Sequence, residues 1–154
     1  MSGPDSFRSA RAADYEAIDA LLRAAFGGEA EAKLVAELRA QGLIESEVVM
    51  PWGEGVVAHV ALSRLVAPVG WLALAPMAVA PAWQGKRLGS RMLAGVMKLA
   101  AIKGQVVVVV GKPSFYGRAG FQFGAVQTPY PAGVSGLFGA AAGEVIYPAA
   151  FNGI

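Results

Sequence analysis

The stretch from Leu74 to Leu93 reads LAPMAVAPAWQGKRLGSRML, and its reading decides the fold. The first half is an apolar run. The second half has a helix pattern, and glycines and cations crowd the join. Pro76 lies inside the run. Proline cannot donate to a strand ladder, so this strand must sit at an edge, carry a bulge, or part from a neighbour. The strand starts upstream, in GWLALAPMAVA (70–80). The spacing predicts a helix from about Arg87 to Lys103, with Leu88, Met92, Leu93, Val96 and Leu99 on its apolar side. QVVVVVG (105–111) follows, apolar on both faces, as central parallel strands tend to be. Strand, helix and strand from Trp71 to Val110 form a crossover unit, expected to be right-handed.

Upstream, Ile18, Leu21, Leu22, Ala25 and Phe26 keep helical spacing, with Asp14 as the cap and Gly27-Gly28 as the stop. A second helix is predicted from about Glu29 to Gln41, with Leu34, Val35 and Leu38 as its stripe and Gly42 at its end. LIESEVVM and VVAHVALSRLV, joined by WGEG, read as an antiparallel hairpin. Downstream, PSFYGRAGF suggests one helical turn with Pro113 at its first position. TPYPAG onward is loop-rich, and a last strand is predicted around Glu144 to Tyr147. The order is two helices, a hairpin, a strand, a helix, a strand, a short helix and a strand. That is an α/β (α+β) chain with a mixed, mainly antiparallel sheet and helices on both faces.

A length of 154 residues suits one domain, spanning 1–154, with a real core. Hydrophobic residues make up 55% and charged residues 16%, which excludes a disordered chain. The opening MSGPDSFRSARAADYEA is polar and mixed in charge, so no secretory signal is expected. The longest apolar region, Leu93 to Val110, is broken by Lys98, Lys103, Gly104 and Gln105, so no membrane span is expected. There is no cysteine, hence no disulfide, no thiolate metal site and no cysteine nucleophile. The default location is the cytoplasm. Residues 1–50 carry a net charge of −4 and residues 51–154 one of +6. Seven cations lie between Lys86 and Arg118 with no acid among them, a zone that attracts anions. No aromatic residue is interleaved among those from Lys86 to Lys112, which argues against a nucleic-acid partner.

A strand, a glycine-bearing turn and a helix start make a generic anion site. The first amides of a helix lack internal partners, and the helix dipole favours negative charge there. QGKRLGS is neither the nucleotide-triphosphate loop G-x-x-x-x-G-K-[ST] nor the dinucleotide fingerprint G-x-G-x-x-G. LAPMAVAPAWQGKRLGSRML does resemble the acetyl-CoA motif of the GNAT superfamily of N-acetyltransferases. There a strand leads into Q/R-x-x-G-x-G/A. By that resemblance Met77 and Val79 pair with the pantetheine arm, and the turn of Gln84, Gly85, Lys86, Arg87, Leu88, Gly89 and Ser90 holds the pyrophosphate. Arg87 stands where the pattern has its first glycine. FYGRAGF is similar to the family's Y-x-K/R-x-G-F, matching at Tyr116, Arg118, Gly120 and Phe121. The resemblance makes Tyr116 the general acid that protonates the departing CoA thiolate. The family's asparagine on the preceding strand is missing, and Gly111 and Ser114 stand there instead. The ending GEVIYPAAF, with GKPSFYGRAGF, resembles the small bacterial YhbS-like branch.

The resemblance implies a GNAT-type sheet splayed at the acetyl-CoA site, with Pro76 where the strands part. It implies direct transfer of acetyl from acetyl-CoA to a primary amine, without a metal. The alternative is a catalytically silent acyl-CoA-binding scaffold. The base stays open among His59, expected to be half-buried and structural, and the acids Glu29, Glu31, Glu45 and Glu47. The acidic first third would flank the acceptor and suit a cationic amine, polyamines included. GVSGLFGAAAG (133–143) is expected to be an exposed apolar patch and to support a homodimer.

Overall fold

The computed structural model describes every residue except 1, 2 and 5, so the first residues of the polar opening stretch lie outside it. Its centre is a seven-stranded sheet in the order β1-β2-β3-β4-β5-β8-β6. These strands are β1 (Arg8–Ser9), β2 (Ile44–Trp52), β3 (Gly55–Arg64), β4 (Leu72–Val79), β5 (Val107–Val110), β6 (Gln122–Phe123) and β8 (Ser135–Phe138). Only β4 and β5 pair in parallel; every other neighbour in the sheet is antiparallel. Two further strands, β7 (Val126–Gln127) and β9 (Gly143–Glu144), pair with each other outside it.

Helices cover both faces. α1 (Tyr15–Phe26) and α2 (Ala30–Ala40) lie on one side. There Leu34 and Leu38 meet Ala73, Val108 and Leu137, while Ile18 and Leu22 meet Val49 and Ala78. α3 (Leu88–Ile102) lies on the other, packing Met92, Leu93 and Val96 on Val60, Leu74, Val107 and Val109. The alternating valines of β5 thus serve both cores, as a run apolar on both faces requires. Each buried Leu, Val or Met contributes about 1.5–3 kcal/mol through removal from water. Leu99, expected in the α3 stripe, is 51% exposed, and Met97 and Ala100 are buried in its place.

β2 and β3 form the expected hairpin, with Trp52 opposite Gly55. β4 shows two of the three arrangements that Pro76 allows, a bulge and a parting from its neighbour. Along β3, Val60 to Leu62 is two steps; along β4 their partners, Met77 and Leu74, are three apart. The extra residue is a bulge, and it flips the parity of the strand. Leu72 and Leu74 face α3 before it, and Met77 and Val79 face α3 after it. On its other edge β4 pairs with β5 only from Leu72 to Leu74. The edge from Ala75 to Val79 therefore has no strand beside it, which is the predicted splay.

Four expectations need correction. The last strand of the chain does reach Glu144, as Gly143–Glu144, with Ile146 bridging Ala67, but it pairs with Val126–Gln127 outside the main sheet, and the strand beside β5 is the unforeseen Ser135–Phe138. Consequently GVSGLFGAAAG is not one continuous exposed patch: Ser135, Gly136 and Leu137 are buried in the sheet, and exposure is confined to Gly133 before them and Gly139, Ala141 and Ala142 after them. Asp14 does not cap α1 with its side chain. Its carboxylate instead accepts two bonds from the Arg8 guanidinium, at 2.7 and 2.9 Å, and one from the Arg11 amide at 2.8 Å. Finally, Phe26 is 44% exposed and does not belong to the α1 core stripe.

Candidate active site

The parting of β4 from β5 opens two cavities, and the bulge decides what faces them. The first, about 230 Å³, lies between the end of β4, α2 and the C-terminal segment. Ala75, Pro76, Leu34 and Val110 are in its wall, together with the rings of Tyr130, Tyr147 and Phe151. The second, about 390 Å³, runs along the start of α3. Its wall includes Met77, Val79, Gln84, Gly85, Arg87, Leu88, Gly89 and Ser90, so eight of the nine residues expected at the cofactor site come together. Lys86 is the exception: it is exposed and outside this wall.

Met77 and Tyr116 belong to both walls. Tyr116 ends α4 (Pro113–Tyr116), a single turn that Pro113 opens as expected. Its hydroxyl donates a weak bond to Met77 Sδ at 3.9 Å. Its ring stands edge-on to Phe115 and Phe121, with centroids 5.0 and 5.9 Å away. Burial raises the Tyr116 phenol above its ordinary value, so it stays protonated through neutral pH.

The turn is built for an anion. The first bond of α3 runs from the Arg91 amide to the Arg87 carbonyl, 3.1 Å, so the amides of Leu88, Gly89 and Ser90 precede the helical ladder. The Gln84 side chain donates to the Val79 carbonyl at 3.0 Å and ties the turn to the strand. A Cβ on Gly89 would stand 3.3 Å from both Met77 Cε and Val79 Cγ2, so glycine lets α3 close on β4. Arg87 has φ 65°, a left-handed conformation, and is the one described non-glycine residue with positive φ. The geometry thus asks for glycine where this chain has arginine.

The wall also holds residues outside the expected cofactor-binding set. Trp83 and Phe115 line the second cavity, and Arg118 joins Arg87 there as a second cation. Arg118 was legible in FYGRAGF; Trp83 gave no signal beyond its place before the turn.

The candidate bases separate cleanly. His59 is fully buried rather than half-buried. Its Nε2 lies 2.8 Å from Glu47 Oε2, and Arg39 donates to the same oxygen at 2.7 Å. Burial pushes the Glu47 carboxyl up, but the bonds from His59 and Arg39 overcome it and hold the group below its ordinary value. This cluster lines neither cavity. Glu45 pairs with Arg64 at 3.2 Å, and Glu29 with Lys33 and Arg23 at 2.6 and 3.3 Å. Of the four acids only Glu31 reaches either of the two cavities at the opening of the sheet, the first. Among the described residues no group of three His, Asp or Glu side chains could hold a metal ion.

A family model described as the acetyltransferase (GNAT) domain matches residues 34–123. The chain is 36% identical over 117 residues to the N-acetyltransferase YhbS of Escherichia coli K12, spanning 73% of this chain and 70% of that protein. The crystal structure of Escherichia coli YhbS in complex with CoA superposes with a TM-score of 0.86 at 28% identity, covering 99% of this chain and 94% of that one. A GNAT acetyltransferase from Brucella melitensis, in complex with acetyl-CoA, gives 0.80 at 26% identity, covering 95% and 97%.

Proposed function

The chain belongs to the GNAT family of acetyltransferases and is an N-acetyltransferase that uses acetyl-CoA, and on that premise we propose how its residues divide the work. Residues 1–154 form one acyltransferase domain that passes acetyl directly to a primary amine in a ternary complex. The observation that carries this is the shared wall: one cavity takes the donor, the other the acceptor, and Met77 and Tyr116 stand where they meet.

The residues fit acetyl-CoA. The amides from Gly85 to Ser90 take the pyrophosphate, with the Arg87 and Arg118 charges beside them. The free edge of β4 at Met77 and Val79 takes the pantetheine arm by backbone pairing, as a strand would. Lys86, outside the wall, adds only long-range attraction. Acetyl-CoA supplies the activated acyl group. The acceptor's ammonium first gives a proton to water; the free amine nitrogen bonds to the carbonyl carbon and gives up a second proton to water, and the C–S bond breaks. Ammonium and acetyl-CoA thus become an acetamide, the CoA thiol and, once Tyr116 is reprotonated, one released proton. A backbone amide on the free edge of β4 faces the negative charge that develops on the carbonyl oxygen. Tyr116 gives its proton to the departing sulfur and regains one from water. The chain has no cysteine to carry the acetyl group as a thioester, which suits direct transfer.

The test is release of free CoA over a panel of amines. Tyr116→Phe should lower kcat by about 10²-fold or more while the Kd for acetyl-CoA holds. Equal turnover by both proteins would remove Tyr116 from the mechanism. A wild type that binds CoA yet acetylates no amine would restore the silent scaffold.

The same reading carries a cytoplasmic protein; no described helix is long and apolar enough to cross a membrane. For a homodimer, the support moves to Val66, Val69 and Ile146, which are 56%, 93% and 56% exposed and lie around the Ala67–Ile146 bridge. Light scattering on the purified chain checks it.

A further inference from the structure

The acceptor-side cavity has a wall of unusual uniformity. It is apolar almost throughout, and aromatic rings form much of it: the half-exposed Phe26, then Tyr130, Tyr147 and Phe151 from the C-terminal segment. Tyr147 stands edge-on to Tyr130 at 5.9 Å and tilted on Phe151 at 4.9 Å, so the three rings form one continuous surface. Burial, and then the neighbouring Tyr130, push the Tyr147 phenol up to about 12, so it brings no charge. Glu31 is the one acidic or basic side chain of this wall. It is half-buried and makes no ion pair with any described residue, whereas Glu29, two positions earlier, is held by Lys33 and Arg23.

From this arrangement we infer that the acceptor is a small primary monoamine with an apolar, aryl-sized body, whose ammonium group is recognised by Glu31. The inference rests on the acetyltransferase reading of the same site. Three physical arguments carry it. A half-buried carboxylate without a partner is stabilised by an incoming cation far more than a solvated one is. Aromatic faces add attraction for the same cation, about 0.5–2 kcal/mol each in favourable geometry, and bury the apolar body beyond it. Size sets the upper limit: about 230 Å³ is below the roughly 300–1,000 Å³ of sites that hold drug-sized ligands.

The same wall selects against other amines. A polyamine would bring further ammonium groups to a surface with one counter-charge, and each extra charge there loses its water without a partner. An α-amino acid or an acidic peptide would set a carboxylate in a cavity whose one ionisable acidic side chain is Glu31 and which has no basic side chain to meet it. The acidic first third of the chain therefore does not suit a polyamine by its net charge; within the cavity it comes down to Glu31 alone.

The experiment uses the full chain and two readouts. Calorimetric titration of the CoA complex measures binding of 2-phenylethylamine, hexylamine, ethylamine, spermidine and glycine. Free-CoA release measures their turnover. The expected result is a kcat/KM for 2-phenylethylamine and hexylamine at least tenfold above that for spermidine and glycine. Glu31→Gln should raise KM for 2-phenylethylamine tenfold or more and leave the Kd of acetyl-CoA unchanged. Phe26→Ala, at a half-exposed position outside the buried core, should weaken 2-phenylethylamine more than ethylamine. Preference for spermidine or glycine, no binding of either apolar amine, or a KM indifferent to Glu31→Gln would each overturn the inference. The two readings fail separately. Glu31-dependent binding of 2-phenylethylamine without turnover of any amine would sink the enzyme and keep the binding site. Turnover of spermidine alone would do the reverse.

Discussion

Arg87 holds the conformation of a glycine. At φ 65° its Cβ crowds the following carbonyl, which costs roughly 1–2 kcal/mol for an L residue. Arg87→Gly should relieve that strain, and the extra freedom of glycine in the unfolded chain should take back roughly 0.5–1 kcal/mol. The expected net effect is a small rise in the urea midpoint together with weaker, less salt-sensitive CoA binding, because a cation leaves the groove. A lower midpoint would show that the side chain itself holds the turn. Gly111 is a second residue whose role is spatial. A Cβ there would stand 2.4 Å from the Tyr116 ring, so Gly111→Ala must displace the ring from Met77. Its kcat should fall about as far as that of Tyr116→Phe, with the acetyl-CoA Kd kept. Of these two residues the sequence showed only half. Arg87 was visible as a departure from a motif. Gly111 was visible only as a missing asparagine, because the ring that needs its space comes from the next turn of chain and not from its own strand.

Among the elements, the strand–helix–strand unit was legible because two strong signals coincide there: a valine run with no polar face, and a helix stripe of period 3.6. Pro76 announced a break in pairing and has two, a bulge against β3 and a parting from β5. β8 was not legible. Its Ser135-Gly136 start reads as a turn, yet Gly136 is there because a Cβ would meet the Phe123 ring of β6 at 2.7 Å. A contact between strands distant in sequence overrode the local signal. β1 was missed for a related reason. It is two residues long, and what anchors it is the Arg8 fork on Asp14, a side-chain contact to the start of α1. That contact has a pH signature. The Arg8 hydrogen bonds, then the Arg11 amide, lower the Asp14 carboxyl from 3.8 to about 2. A depressed carboxylate stabilises the fold fully above its unfolded value and loses that contribution as pH falls through the folded one. The difference in urea midpoint between wild type and Asp14→Asn should therefore be full above about pH 5 and shrink between pH 4 and pH 2. A difference that does not change with pH would mean that the ionised Asp14 adds nothing to the junction of β1 and α1.

Across the whole molecule the charge asymmetry becomes a division of labour. The cations Arg87 and Arg118 stand on the α3 side of the opened sheet, in the groove suited to phosphates, and the lone carboxylate Glu31 stands in the cavity suited to an amine. Neither side could be assigned from net charge, since five of the eight described acids among residues 1–50 are in local ion pairs, such as Glu29 with Lys33 and Glu47 with Arg39. The wall that the two cavities share at Met77 and Tyr116 has a consequence for inhibition. A compound that joins the sulfur of CoA to a phenylethylamine through an acetyl-length bridge would occupy both cavities at once. Its second half would bind at the high effective concentration set by a short tether. Such a conjugate should bind about 10²–10⁴-fold more tightly than CoA alone, and competition against acetyl-CoA in the release assay would measure the gain. If it binds no better than CoA, the two cavities do not communicate in solution. If it does, the opening beside Pro76 is a place where one molecule can be threaded through a protein sheet.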